Sequence, residues 1–278
     1  MTTDTAGDAL RSPRVEALIA LIHSMGVPYG REDSFKLMPG RVCAERVLLG
    51  VPLAGLPRER IDYLCHAVGL PRALRDAFER GLPTANMLLF AVEDETTVCT
   101  SKVYLEFWDS VCREVQRTQR RDPLLLNIGF KWRSDSEGSD ARLAHYVCRP
   151  MLSAPEILAR IDVLLSGAAA ALVREPVCNA VARASAFRPE ALLLYAEVHE
   201  AEGVRRSFDL NLYKTGLPTA ALTHELQALA DALTLPRAAI RACLRRLGGC
   251  PMGHLSAGLD RSGVPFVTVY AEVRALDA

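Results

Sequence analysis

The sequence predicts an α+β fold, a ten-stranded antiparallel β-barrel of repeated hairpins surrounded by a ring of α-helices. Three observations predict it. Segments with strand-like alternation come in pairs joined by polar turns, and amphipathic segments with apolar residues three and four apart separate the pairs. The second strands of the pairs also resemble one another when aligned. Five hairpins supply ten strands, and a sheet of that size with helices on one face can remove its exposed edges by closing. An open sheet with helices on one side remains the alternative. No Gly/Ser-rich linker or break in composition divides the chain, so residues 1–278 are expected to form a single domain.

The elements follow in order. Ser12-Pro13 offers a cap and a first-turn proline, and Val15, Leu18, Ile19 and Ile22 line one helical face. A first hairpin fits Glu32–Met38 and Ala44–Val51, turning at Pro39-Gly40. Ile61, Leu64, Cys65 and Val68 mark a helix, and Pro71 opens another with Leu74 and Phe78. Strands at Asn86–Glu93 and Thr100–Phe107 form the second hairpin, and those at Leu124–Trp132 and Arg142–Cys148 form the third. Ile157, Leu158, Ile161 and Leu165 are helical, and Gly167-Ala-Ala-Ala-Ala-Leu is a helix former that lacks the lysine and glycine spacing of a phosphate loop. Leu192–Val198 pairs with Arg205–Lys214. Helices follow at Leu222, Leu226, Leu229, Leu233 and at Ile240, Leu244, Leu247, before the last hairpin of His254–Leu259 and Phe266–Val273.

Composition excludes several function classes. The 33 basic and 33 acidic side chains cancel, unlike the basic balance of a general nucleic-acid or membrane-surface binder. A hydrophobic content of 50% excludes a disordered chain. No apolar stretch approaches the ~20 residues that span a bilayer, and MTTDTAGDALRSPR lacks the basic start and apolar core of a secretory signal, so a cytoplasmic location is expected. None of the eight cysteines forms a CxxC pair, which reads as reduced, buried thiols. His145, His199 and His254 are too scattered in sequence to suggest a metal site, and Arg117–Arg121 reads as a solvated helix end.

Aligning the second strands places Arg46, Lys102, Ala144, Asn211 and Thr268 in register, each two residues before Leu48, Tyr104, Tyr146, Tyr213 and Tyr270. Residues two apart on a strand share a face. One face of four hairpins therefore carries a tyrosine, while Val103, Leu105, Leu143, Phe208, Leu210, Leu212, Val267 and Val269 lie on the other, ready to be covered by helices. The same parity adds Arg142 to the inner face, and Glu32, Lys36 and Lys131 from first strands. Converging lysines and arginines suit a phosphate or diphosphate, and tyrosine rings suit an apolar tail or a cation. An allylic prenyl diphosphate, which ionises to a carbocation and a diphosphate, meets both requirements.

Specific residues carry a family resemblance. Glu32-Asp-Ser-Phe-Lys36 followed ten residues later by Arg46-Val-Leu-Leu, then Lys102-Val-Tyr, Ile128-Gly-Phe, Leu212-Tyr-Lys214 and Val269-Tyr270, resemble in order and spacing the cyanobactin-type prenyltransferases. These modify ribosomal peptides and have the ABBA prenyltransferase fold, or PT barrel. The resemblance implies a magnesium-dependent transferase with a prenyl diphosphate donor and a peptide substrate. It implies that Arg46, Lys102 and Lys214 grip the diphosphate, that Tyr104, Tyr146, Tyr213 and Tyr270 shield the carbocation, and that Glu32 accepts the nucleophile's proton. Thr268 stands where the family often has a basic residue and would hydrogen-bond a diphosphate oxygen; Arg142 rests on strand parity. No protein ligand for the metal stands out. The expected partners are donor and peptide, with no nucleic acid and no membrane, for a chain acting as a monomer. Two other functions fit the same fold: transfer to a small aromatic metabolite, and a non-catalytic barrel that binds an isoprenoid or peptide. Gly129, Gly258, Phe130 and Trp132 are candidates for the cavity floor that would limit prenyl length.

Overall fold

Ten strands close into one antiparallel barrel in a computed structural model that describes residues 11–95, 98–119, 121–134, 136, 140–200 and 205–276. The strands are β1 (Gly30–Met38), β2 (Arg41–Pro52), β3 (Met87–Asp94), β4 (Cys99–Glu106), β5 (Leu124–Arg133), β6 (Arg142–Arg149), β7 (Leu194–Glu200), β8 (Arg206–Asn211), β9 (Met252–Leu259) and β10 (Pro265–Arg274). Each pairs with its neighbours in sequence, and β10 returns to β1, so the sheet has no edge. The closed barrel, rather than the open sheet, is what forms.

The described residues include eight α-helices: α1 (Pro13–Ser24) precedes the barrel, and α2 (Arg58–Ala67), α3 (Arg72–Gly81), α4 (Trp108–Thr118), α5 (Ala154–Leu164), α6 (Ala168–Phe187), α7 (Thr223–Ala232) and α8 (Arg237–Leu247) connect the hairpins. Strands alternate in direction, so every hairpin turn falls at one end of the barrel and every helical connection at the other. Local signals explain the helix starts. The Ser12 hydroxyl accepts from Val15 N–H ahead of α1, and Ser153 with Glu156 forms a capping box on α5.

The main core lies between barrel and helices. Phe35, Leu37, Leu49, Leu88, Phe90, Val103, Leu105, Phe208 and Leu210 point outward from the strands and are fully buried. Phe130 meets Phe78 of α3 edge to face, with ring centres 5.6 Å apart. Phe130 and Trp132 therefore belong to this outer layer and form no cavity floor, because their parity is opposite to that of Gly129.

Two boundaries differ from the expected ones in ways that matter. β7 runs on to Glu200, bringing a carboxylate to the hairpin end. β8 stops at Asn211, whose side-chain carbonyl accepts from Tyr213 N–H, and Tyr213–Thr215 forms a single 3-10 turn.

Candidate active site

Alternation along each strand leaves the inner face polar. Inner side chains such as Lys102, Tyr104 and Glu106 retain partial exposure, while Val103 and Leu105 between them are buried completely. Lys36, Arg205 and His254 each keep 19% of their side chain accessible and Asp209 keeps 22%. Several side chains of the inner face thus keep access to solvent, unlike the fully buried layer outside the barrel.

At the hairpin end, two glutamates each gather three cations. Glu93 on β3 binds Lys102 Nζ at 2.6 Å and Lys36 Nζ at 3.4 Å and forms an ion pair with Arg46. Glu200 on β7 binds Arg261 at 2.5 Å, Arg205 at 3.1 Å and Lys131 Nζ at 3.6 Å. Six cationic side chains thus face two carboxylates. Burial would raise Glu93, but Arg46, Lys102 and Lys36 hold it well below the usual carboxylate range. The lysines show the shortage of negative charge. Burial pulls Lys102 down to about 8 even with Glu93 beside it, and burial with the charges of Arg205 and Lys102 pulls Lys131 well below its ordinary value. A dianionic or trianionic group placed here would restore all of these charges.

The middle of the interior is aromatic. Tyr104 and Tyr146 meet edge to face at 5.7 Å, and Lys131 Nζ lies 5.7 Å from the Tyr146 ring centre. Gly129 makes this arrangement possible: a Cβ there would come within 2.9 Å of the Tyr104 ring. Tyr270 accepts a 3.3 Å hydrogen bond from Arg46 at its hydroxyl, and the Arg46 guanidinium sits 5.9 Å from its ring centre.

At the helical-connection end the charge reverses. Glu32, Glu106, Asp209 and Glu272 surround one histidine, His254. His254 Nδ1 lies 3.0 and 3.1 Å from the two oxygens of Glu32, and Nε2 lies 3.8 Å from Asp209. Burial would lower the imidazole, but Glu32 and Asp209 outweigh it and raise it to about 10, so it is an imidazolium at neutral pH. Burial raises Glu106 and Asp209. Glu32 is itself 2% exposed and seated against the β9 backbone, where a Cβ on Gly253 would lie 1.5 Å from its oxygen.

The structure brings together Glu32, Arg46, Lys102, Tyr104, Tyr146, Tyr213 and Tyr270 inside the barrel, with Thr268 buried on the inner face between Lys36 and Ser256. Tyr213 arrives by a different route from the one expected, from the 3-10 turn after β8 rather than from a strand. Lys214 is a correction: it is exposed on that turn, its carbonyl accepts from Arg188, and strand parity does not reach it because β8 has ended. Arg142 stands opposite Lys131 in register but at the rim, 40% exposed and 3.7 Å from Asp140. Sequence reasoning missed Glu93, Glu200, Arg205, Arg261 and His254. The parity rule could have found His254, which shares a face with Ser256 and Gly258 of β9.

Among the described residues, the protein offers magnesium no all-oxygen cage of three donors, so an ion here would be held chiefly by the diphosphate itself. Among the described residues, one group lies close enough to share an ion, Cys43, Glu93 and Glu95. It offers a thiol to a cation that prefers oxygen, and both Glu93 oxygens are already engaged by lysines and Arg46.

No protein-family model matches the sequence, and no curated protein matches it. Solved structures do. The crystal structure of 5-dimethylallyltryptophan synthase from Streptomyces coelicolor superposes with a TM-score of 0.56 at 13% identity, covering 88% of this chain and 80% of that one. AnaPT from Neosartorya fischeri gives 0.57 at 12% identity over 89% of this chain and 79% of that one. NotF in complex with brevianamide F and DMSPP gives 0.50 at 13% identity, over 91% and 82%. At such identities the likeness establishes the fold: the chain is a closed ten-stranded antiparallel barrel ringed by helices, as those structures are.

Proposed function

We propose that this protein is a prenyltransferase that moves an isoprenoid from its diphosphate to a nucleophilic side chain of a ribosomally made peptide. The observation that carries the reading is the pair of cation clusters around Glu93 and Glu200, opening onto the tyrosines of the interior. The fold shared with 5-dimethylallyltryptophan synthase supports it.

The diphosphate binds between the two clusters, where Lys36, Arg46, Lys102, Lys131 and Arg205 offer preplaced charge. As the allylic C–O bond breaks, its electron pair leaves with the diphosphate, and these cations stabilise the developing charge without reorganising. Tyr104 and Tyr146 flank the allylic cation, and the closed barrel keeps bulk water from capturing it. The nucleophile's electron pair forms the new bond to carbon, and its proton passes to Glu32. A weak base is enough, because the proton becomes acidic once the allyl group has added.

The peptide acceptor is supported by the resemblance of the first hairpin. A small aromatic acceptor is the second reading, favoured by the names of the similar structures, a tryptophan-modifying synthase and a brevianamide F complex. Incubation with dimethylallyl or geranyl diphosphate and a panel of peptides and aromatic metabolites, read by mass, tests both. A prenyl adduct on a peptide supports the first, and an adduct on small aromatics alone supports the second. No adduct from folded protein removes both.

A further inference from the structure

His254 has no role in the mechanism above, yet it is the most constrained charged side chain at the acceptor end. It contacts both oxygens of Glu32 through one nitrogen, at 3.0 and 3.1 Å. Its other nitrogen faces Asp209 at 3.8 Å and the Asn211 amide at 3.4 Å. Tyr213 and Tyr270 close on it edge to face from two sides, at 5.1 and 5.9 Å. Gly253, the residue before it, leaves the space that the Glu32 carboxylate fills. The backbone of β9 thus presents a gap for the acid and, at the next residue, the imidazole that binds it.

We propose that His254 is a positioning residue that clamps the Glu32 carboxylate in a single orientation across the acceptor end of the barrel. The clamp rests on the reading of Glu32 as proton acceptor, and it explains how a carboxylate 2% exposed stays in place beside two other acids, Asp209 and Glu272, that repel it. The groups facing His254 are Glu32 from β1, Glu106 from β4, Asp209 and Asn211 from β8, Tyr270 and Glu272 from β10, Ser256 on its own strand and Tyr213 from the turn. Four acids against one imidazole hold it charged throughout the neutral range, in line with its value of about 10.

Aromatic rings close the clamp: Tyr270 lies 5.9 Å from the imidazole and Tyr213 lies 5.1 Å from it, both edge to face.

The test joins two readouts. Nitrogen-15 NMR of the imidazole follows its protonation with pH in wild type and in Glu32→Gln, and steady-state kinetics follow His254→Ala and His254→Gln with dimethylallyl diphosphate. His254 of the wild type should remain an imidazolium at pH 8, and Glu32→Gln should lower its pKa by a unit or more. His254→Ala should lower kcat about 10- to 100-fold while the donor KM changes less than about twofold, and His254→Gln, which keeps a donor N–H, should recover part of the loss. A wild-type imidazole titrating near 6.5 and indifferent to Glu32→Gln overturns the clamp, as does a folded His254→Ala with wild-type kcat. If His254→Ala fails to fold, the NMR pair and His254→Gln decide. If no acceptor is ever prenylated, the proposed function fails while the NMR result still decides the pairing.

Discussion

The two ends of the barrel interior are built from the same ten strands and carry opposite charge. The hairpin end holds six cations around Glu93 and Glu200, and the helical-connection end holds four acids around His254. Their construction differs too. At the hairpin end Glu93 on β3 gathers Lys36, Arg46 and Lys102 from β1, β2 and β4, and Glu200 on β7 gathers Lys131 from β5, Arg205 from just before β8 and Arg261 from the β9–β10 turn. The acid end is assembled from residues far apart in sequence: Glu32 meets His254 across 222 positions, and barrel closure alone joins them. The contrast teaches how one hollow can hold an anion at one end and manage a proton at the other, with tyrosines between.

Disabling one end at a time breaks the comparison into measurable parts. Glu32→Gln should have the largest effect, a loss of kcat of about 10²- to 10⁴-fold, as expected for removal of a general base. Binding of a non-reactive diphosphate analogue, followed by calorimetry, should be unchanged. Arg46→Ala acts at the other end and should weaken that analogue by about 10- to 100-fold, since charge-assisted contacts are the stronger class of hydrogen bond. A comparable loss of analogue binding in both variants would mean that the ends are not separate.

Smaller effects sharpen the picture. Analogue affinity should fall as pH rises through about 8, because Lys102 gives up its proton there. Stability should respond to the acid end in the same direction. His254 is raised from 6.5 to about 10, so its contribution is complete below pH 6.5 and is lost as pH rises towards 10. Lys102 works against that trend, since its lowered value makes its charge unfavourable in the fold below pH 8 and harmless above 10.5. Thermal melting from pH 6 to 10 should therefore fall more steeply in wild type than in His254→Gln. Gly129→Ala should displace the Tyr104 ring, 2.9 Å from the added carbon, and lower turnover several-fold with little change in analogue binding.

Strand parity explains what was legible in the sequence. It placed Arg46, Lys102, Tyr104, Tyr146 and Tyr270 on the inner face because period two holds wherever the ladder is regular. The resemblance, not parity, placed Lys214 at the diphosphate, and it fails there because β8 ends three residues earlier, with the Asn211 side chain accepting from Tyr213 N–H. Phe130 and Trp132, two of the candidates for the cavity floor, lie on the helix-covered side because their parity is opposite to that of Lys131. Glu93 and Glu200 were not legible because an acid near a turn looks solvent-exposed in sequence, and only closure brings three cations onto each. His254 was passed over for a related reason. Histidines were weighed as metal ligands, a role that needs close spacing, whereas this one pairs with a carboxylate at the far end of the chain.

The most direct test of the account is a crystal structure with a non-hydrolysable dimethylallyl diphosphate analogue. The account predicts the diphosphate between the Glu93 and Glu200 clusters, within hydrogen-bond reach of Arg46, Lys102 and Arg205, with the allyl carbons against Tyr104 and Tyr146 and pointing towards Glu32. An analogue seated outside the barrel, for example in the groove of ≈ 700 Å³ lined by Phe107, Leu125, Ile128 and His145, would contradict it.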